Sequence, residues 1–206
     1  MKAIFINGSP RKKGNTAELL SKTMQGASDA GCETKMIHLR DLKFTGCISC
    51  LACKIKGNKC GGLCALRDDL RPVLEETLTS DILVIGTPVY WHYPTALTRA
   101  FMERLLFAPL DYANPGSSVL KKKIRCATIY TMHVMNDELF EKMDYAQTLG
   151  LRRSRWNCSD RRKSCISGDF PFFQISSGIP SIPNSPPSSK RCTKNIIRNT
   201  SVRHTS

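Results

Sequence analysis

Two stretches of the chain contain residue types that could bind an anion or a metal. The first is the loop Asn7–Thr16 (NGSPRKKGNT), which follows a short apolar stretch and precedes an amphipathic segment. The first N–H groups of a helix have no intrahelical partner, and the helix dipole is positive at that end. A strand, a polar glycine-containing loop and a helix in this order therefore predict an anion cradle. Further donors come from the side chains of Ser9, Arg11, Asn15 and Thr16.

The same loop excludes two common phosphate-binding motifs. No lysine follows Gly14, as a Walker A loop would require, and the dinucleotide pattern Gly-x-Gly-x-x-Gly is absent. The residues predict a site for a single terminal phosphate monoester, held by hydroxyls and backbone amides. The alternative is an ordinary turn between a strand and a helix, with Asn15 and Glu18 at the spacing of a capping box.

The second stretch is a cysteine cluster. Cys47, Cys50 and Cys53 form a C-x2-C-x2-C run, and Cys60 and Cys64 follow it. Thiolates at two-residue spacing can surround one [4Fe–4S] cluster. Four thiolates also suit tetrahedral zinc, and free or redox-active thiols are the third alternative. The spacing leaves all three open.

Apolar and amphipathic segments alternate through the first 149 residues, which predicts parallel strands connected by helices on both faces of a sheet. The fold class is therefore α/β, a doubly wound parallel sheet in three layers. The predicted strands cover residues 2–6, 34–39, 81–86 and 123–130, and the predicted helices cover 16–30, 68–79, 95–107 and 137–149.

Ligands of such sheets bind beyond the carboxyl ends of the strands. Three predicted loops lie there, at residues 7–16, 87–94 and 131–136. The second loop carries the aromatic run Tyr90–Tyr93. A phosphate cradle beside an aromatic surface suits a flat heteroaromatic ring with a phosphate tail. Packing at the edge of the core is the alternative explanation of the aromatic loop.

Composition changes abruptly near residue 150. The tail, residues 151–206, holds 11 of the 31 Lys and Arg residues but only 2 of the 17 Asp and Glu residues, so much of the net charge of +14 lies there. Its Ser- and Pro-rich composition is typical of disorder. We therefore predict one domain over 1–150 and a basic tail over 151–206 that is disordered or translated from a shifted reading frame.

The composition also bears on location and partners. No apolar run is long enough to span a membrane and no signal peptide precedes Lys2, so we expect a cytoplasmic, reducing compartment and no membrane partner. Nucleic acid is the least favoured partner, because the basic tail lacks regular aromatic interleaving or a recognisable module.

The motifs together resemble a known family. The residues Asn7–Arg11 with Gly14–Thr16, then Gly86–Trp91, then Arg99–Leu105, resemble the flavodoxin-like NAD(P)H-dependent FMN reductases. The cysteine-rich segment before Asp68 and Asp69 resembles the iron–sulfur flavoprotein branch of that family. The resemblance implies a flavodoxin-like fold, bound FMN, NADPH or NADH as electron donor and a small-molecule acceptor such as a flavin or quinone. It also implies association into a homo-oligomer.

The resemblance further implies roles for individual residues. No side chain needs to act as acid or base, because the cofactor carries the redox chemistry. An electron carrier serving protein partners is the alternative function. By resemblance, the FMN phosphate is held by Ser9, Arg11, Asn15 and Thr16, and the flavin ring is lined by Pro88, Val89, Tyr90 and Trp91. The resemblance places Thr131 and Met132 in the third flavin-facing loop. A [4Fe–4S] cluster would use Cys47, Cys50, Cys53 and Cys60, with Cys64 as the alternative fourth ligand.

A flavodoxin-like fold also requires a fifth strand and a closing helix after residue 150. The tail contains only one segment that we predict could form a strand, Phe170–Ile175, and Pro171 would confine it to a sheet edge. We therefore expect the C-terminal strand and helix to be missing.

Overall fold

The computed structural model describes residues 1–55, 60–114, 117–133, 137–149 and 165–168. Its strands form one sheet in the order β2-β1-β3-β5-β6, with the short β4 paired to β3 outside that row. The strands are β1 Lys2–Asn7, β2 Glu33–His38, β3 Ile82–Tyr90, β4 Tyr93–Pro94, β5 Arg125–Thr131 and β6 Cys165–Gly168.

Five α-helices within the described residues connect or cover these strands. The predicted helix over 137–149 is in fact two short helices, because the chain turns at Asp144, whose φ is 47°. None of the helices in the described ranges has the length and apolar character needed to cross a bilayer. The helices are α1 Asn15–Asp29, α2 Leu70–Thr79, α3 Ala96–Phe107, α4 Asp137–Lys142 and α5 Tyr145–Thr148, and 3-10 turns cover Leu39–Asp41 and Ala52–Lys54.

The central strands pair as the sequence predicts. β1 lies between β2 and β3, and both pairs are parallel, as is the β3–β5 pair. The order of strands reverses at β1 and β3, which makes their carboxyl ends the switch point where ligands of such sheets bind. The expected flavodoxin-like architecture is confirmed.

A short strand that we did not predict lies beside β5. Residues Cys165–Gly168 form β6, which pairs antiparallel with β5, with Ile129 opposite Ile166. This strand has four residues and is antiparallel, so the absence of the C-terminal strand and helix stays a prediction. The segment that we considered for such a strand, residues 170–175, lies outside the described residues, as does the rest of the tail.

β3 is longer than predicted. The expected loop over 87–94 is wrong, because β3 continues to Tyr90 and turns back through Trp91 and His92 into β4. These two residues have φ values of 49° and 70°, the left-handed backbone that a two-residue type I′ hairpin turn requires. Thr, Val and Tyr favour extended backbone, which explains the continuation of the strand.

The two faces of the sheet bury different side chains. Successive residues of a strand point to opposite faces. One face contacts α2 and α3, and the other contacts α1. Gly86 of β3 permits the close approach of α1, because a Cβ atom there would lie 2.5 Å from Leu20 Cδ1. The first layer includes Ile4, Ile6, Leu74, Leu83, Phe101 and Leu105, and the second includes Ala3, Phe5, Leu20, Ala27 and Val84.

A buried ion pair fastens the cysteine-rich connection to this framework. The Arg104 side chain on α3 is fully buried and donates from both terminal nitrogens to the Asp68 carboxylate. It also donates to the carbonyl oxygens of Thr45 and Leu66. One side chain of α3 thus contacts both ends of the segment that carries the cysteines.

Burial alone would raise the pKa of Asp68. The hydrogen bonds and charge of Arg104, together with backbone N–H groups, outweigh burial and lower the pKa below its ordinary value. The unfolded chain therefore binds a proton more readily at this position. The stabilisation is present above the unfolded pKa of about 3.9 and is lost as the pH falls through the lower pKa of the folded state.

We expect Asp68→Asn to lower the free energy of unfolding by about 3 kcal/mol at pH 7, because Arg104 keeps a buried charge without its counter-charge. This is the lower end of the range for breaking a buried pair, since 23% of the Asp68 side chain is exposed. Denaturant unfolding at pH 7 and pH 3 measures the effect, which should shrink at pH 3.

The matched control is Asp69→Asn. The Asp69 carboxylate is exposed and accepts one hydrogen bond, from the backbone N–H of Lys43. Its removal should change the free energy of unfolding by about 0.5 kcal/mol or less. Equal effects of the two substitutions would contradict the structural role of the ion pair.

Candidate functional site

The loop between β1 and α1 is shaped by its own polar groups. The Asn7 side-chain oxygen accepts from the backbone N–H of Ser9 at 2.9 Å, and the Ser9 hydroxyl accepts from the N–H of Arg11 at 3.1 Å. Such local bonds stabilise a turn. Ser9 is buried and its hydroxyl proton remains available for donation, whereas the Arg11 side chain is exposed.

Helix α1 begins directly after this loop. Its N-cap residue is Gly14, and no side chain caps the helix at that position. The proposed capping box of Asn15 and Glu18 is wrong, because Asn15 is the first helical residue rather than the cap. A helix start without a side-chain cap presents backbone N–H donors to an anion. The local geometry therefore fits a phosphate group.

Two threonines bring the first and third predicted loops together. Thr16 on α1 and Thr131 at the end of β5 are both buried, and their hydroxyl oxygens lie 2.7 Å apart. Thr131 also pairs with Pro88 of β3 in the sheet register. Residues predicted on three separate loops thus meet at the carboxyl edge of the sheet.

The predicted ring-lining residues divide into two pairs. Pro88 and Val89 are half-buried, and Val89 packs with Met132 against the cluster formed by Tyr130, Phe140, Tyr145 and Leu149. Tyr90 is 52% exposed and Trp91 is 91% exposed at the hairpin tip. The alternative explanation of the aromatic loop, packing at the edge of the core, therefore does not apply to Trp91, which contacts solvent. His92 instead turns inward and stacks on Tyr145 with ring centroids 5.3 Å apart.

Three polar contacts beside the loop were missed by sequence reasoning. The Asn7 amide nitrogen lies 2.9 Å from His38 Nδ1, and Arg40 donates to the Pro10 carbonyl oxygen at 2.6 Å. Lys12 forms an ion pair with Asp41 at 2.7 Å. These contacts join loop 7–16 to the end of β2. No local motif indicates them, because the partners are about 30 residues apart in sequence.

The five cysteines of the connection lie in different environments. Cys47 and Cys50 are exposed, Cys53 and Cys60 are half-buried, and Cys64 is buried. Arg104 Nε donates to Cys64 Sγ at 3.3 Å. Across the described residues, no group of three His, Cys, Asp or Glu side chains could hold a metal ion. The thiol donor set suits an iron–sulfur cluster, but its arrangement here does not fit one.

Lys54 fixes the middle of the cysteine segment. Its ammonium group donates to the carbonyl oxygens of Phe107, Ala108 and Leu110 at the end of α3. A cation at a helix C-terminus is favourable, and it also lies 4.6 Å from the centre of the Phe107 ring. Burial lowers the pKa of Lys54 and raises the pKa of the neighbouring Cys53 thiol.

We expect Lys54→Met to expose Cys53, because the segment loses three hydrogen bonds to α3. In metal-free protein the alkylation rate of Cys53 should rise about tenfold, as expected for loss of contacts made by a charged donor. Peptide mass mapping after timed alkylation measures the rate. The control is Lys22→Met, which removes only an exposed ion pair with Glu18. An unchanged Cys53 rate would show that Lys54 does not hold the segment.

Comparison with known proteins shows the family of the chain. The sequence profile of the NADPH-dependent FMN reductases matches residues 1–136. The chain belongs to the NADPH-dependent FMN reductase family. The resemblance that the motifs indicated is confirmed, and the expectation of a reductase is confirmed at the level of the family.

The relatives of the chain in sequence include iron–sulfur flavoproteins. The chain is 35% identical over 104 residues to one from Methanocaldococcus jannaschii, covering 50% of this chain and 51% of that protein. It is 38% identical over 104 residues to one from Archaeoglobus fulgidus, covering 50% of this chain and 48% of that protein. The chain spans about half the length of the curated relatives it matches.

Solved structures support the family's fold. An NAD(P)H:quinone oxidoreductase from Methanothermobacter marburgensis superposes with a TM-score of 0.61 at 17% identity, covering 97% of this chain and 95% of that chain. An azoreductase from Bacillus anthracis superposes with a TM-score of 0.55 at 12% identity, covering 97% of each chain. At these identities the similarity shows the architecture alone.

Proposed function

We propose that this chain is an FMN-dependent oxidoreductase that uses NADPH or NADH to reduce a small acceptor such as a flavin or quinone. Residues 1–150 would form its FMN-binding domain. The observation that carries the proposal is the contact between Thr16 and Thr131, which joins the loop at the start of α1 to the end of β5. Family membership supports FMN as the cofactor.

The residues have separate proposed tasks. Bound FMN would supply two-electron chemistry by accepting a hydride and passing electrons on. Ser9, Asn15 and Thr16 would donate hydrogen bonds to the phosphate from around the uncapped start of α1, and the exposed Arg11 would add a charged donor. The ring would be lined by Pro88, Val89, Tyr90 and Trp91 of the hairpin, with Thr131 and Met132 on the β5 side.

We expect the double substitution Asn15→Ala and Thr16→Ala to weaken FMN binding at least about tenfold. Each side chain removed is a donor to a charged group, worth about 1–3 kcal/mol. Titration of the full chain followed by flavin fluorescence measures the dissociation constant. Ser21→Ala, an exposed change on the same helix, is the control. Unchanged affinity in the double variant would exclude this phosphate site.

A second candidate function is electron transfer to a protein partner. The exposed thiols of Cys47 and Cys50 stand among exposed apolar side chains of Ile48, Leu51 and Ile55. An apolar exposed segment next to redox-capable groups suits a docking partner. Steady-state oxidation of NADPH or NADH with a quinone separates the two functions, because a carrier would turn over little without its partner.

We also propose that the cysteines hold a [4Fe–4S] cluster after rearrangement of the segment. Support comes from the C-x2-C-x2-C spacing and from the iron–sulfur relatives. Cys60 is the better fourth ligand, because Cys64 is buried and its sulfur accepts a hydrogen bond from Arg104.

We expect Cys60→Ser to abolish iron–sulfur absorption and Cys64→Ser to retain it. The physical reason is that a serine hydroxyl can still accept the Arg104 hydrogen bond at 64 but is a poor ligand at 60. Iron and acid-labile sulfide, measured after anaerobic reconstitution, test this. Wild-type protein that takes up full flavin and no iron would overturn the cluster, and free thiols would then be the better description.

A further inference from the structure

Three buried threonine hydroxyls lie between the phosphate loop and the aromatic hairpin, outside every role assigned above. Thr87 lies on β3, and Thr95 and Thr98 lie at the start of α3. Thr87 and Thr98 have no exposed surface, and Thr95 is 5% exposed. Buried hydroxyls are costly unless they are hydrogen-bonded, so the partners of these three groups define what the cluster does.

Thr95 bonds to both parts of the proposed cofactor site. Its hydroxyl donates to the Gly8 carbonyl oxygen at 2.7 Å, across 87 residues of sequence. Its backbone N–H donates to the Thr87 hydroxyl at 3.2 Å. The Thr95 hydroxyl also caps α3, because it accepts from the N–H of Thr98. One residue therefore joins the phosphate loop, the hairpin strand and the start of a helix.

The hydroxyl protons of the cluster can be counted. The Thr95 proton goes to the Gly8 carbonyl, and the Thr87 proton goes to the Pro88 carbonyl at 3.0 Å. The Thr98 hydroxyl lies 2.9 Å from the Thr95 oxygen and 3.1 Å from the Thr87 oxygen, and its single proton serves one of them at a time. Each terminal acceptor is a backbone carbonyl next to a proposed cofactor-binding residue, Ser9 or Val89.

The groups around Gly8 leave no room for a side chain there. A Cβ atom at Gly8 would lie 1.9 Å from the Thr98 hydroxyl oxygen and 3.2 Å from the Gly86 carbonyl oxygen. The Gly8 N–H donates to that same Gly86 carbonyl at 2.8 Å. Gly8 is thus held on both sides: its N–H group bonds to Gly86 of β3, and its carbonyl group bonds to Thr95 at the start of α3.

We infer that Thr95 is a positioning residue that couples the phosphate loop to the ring-lining hairpin. It holds the Gly8 carbonyl and the Thr87 side chain in fixed relation, so that the phosphate and ring halves of the site stay at one separation. The inference rests on the proposed FMN site. Its consequence is that loss of the Thr95 hydroxyl should weaken binding of the ring as well as binding of the phosphate.

The test compares FMN with riboflavin, which has the same ring without the phosphate, on the full chain. Thr95→Val keeps the shape but removes the hydroxyl, leaving the Gly8 carbonyl and the Thr98 N–H without their partner. Dissociation constants for both flavins should rise about tenfold, the size expected for unsatisfied buried groups. Thr95→Ser restores the hydroxyl and should bind both flavins within about twofold of wild type.

A matched control separates positioning from general stability. Thr77 on α2 is fully buried and its hydroxyl donates to the Val73 carbonyl at 2.7 Å, near the opposite end of the sheet. Thr77→Val should lower the thermal midpoint without changing either flavin affinity. If circular dichroism shows that Thr95→Val does not fold, Thr98→Val takes its place in the test. Its affinities for FMN and for riboflavin should both fall about threefold.

The outcomes are distinct. Parallel loss of FMN and riboflavin affinity, rescued by serine, supports the coupling. Loss of FMN affinity alone, or no loss for either flavin, overturns the coupling while leaving the proposed function of the wild-type protein in place. Wild-type protein that binds neither flavin overturns the proposed function itself.

Discussion

The absence of side chains at Gly8 and Gly86 is the constraint on which the candidate site depends. The two glycines meet where β1 ends beside the middle of β3, joined by the hydrogen bond from the Gly8 N–H to the Gly86 carbonyl. Helix α3 approaches one of them through Thr98, and α1 approaches the other through Leu20. Two helices on opposite faces can therefore reach the same edge of the sheet. This close packing sets the positions of the loops at that edge.

A different kind of interaction holds the cysteine-rich connection. The described part of that segment has little regular structure of its own, so its placement depends on single contacts with α3. Arg104 holds its two ends through charge and hydrogen bonds, and Lys54 holds its middle through the carbonyl groups at the end of the helix. Buried ion pairs contribute little to net stability but are costly to break. Such a pair therefore favours one conformation of the segment over the others.

Sequence reasoning recovered the parts of the fold that depend on local pattern. Apolar runs such as Ile82–Ile85 indicate buried parallel strands, and the loop before α1 indicates an anion cradle without any tertiary information. The meeting of Thr16 with Thr131 could be anticipated only to the level of a shared sheet edge, because the strand order decides which loops are neighbours. The role of Arg104 and the bond from Thr95 to the Gly8 carbonyl could not be predicted at all, since the partners lie tens of residues away.

The errors have physical causes as well. Asn15 looked like a cap because capping spacing is a local signal, but Gly14 takes that position. The aromatic run at 90–93 looked like a loop, although its residue types favour a strand and its two-residue turn uses left-handed backbone without glycine or asparagine. The position of β6 gave no signal, because a four-residue edge strand is shorter than any reliable alternating pattern.

The hairpin tip has a consequence for how this protein would respond to selection. Left-handed backbone costs about 1–2 kcal/mol per residue for side chains larger than glycine, and the tip bears that cost at both Trp91 and His92. A library screened only for heat resistance would replace the pair with Asn-Gly, which fits the turn without strain. Under the proposed function, a library screened for flavin-dependent turnover would keep the Trp91 indole. The two selections would act in opposite directions at position 91, and the frequency of Trp there would report how much activity the strained turn contributes.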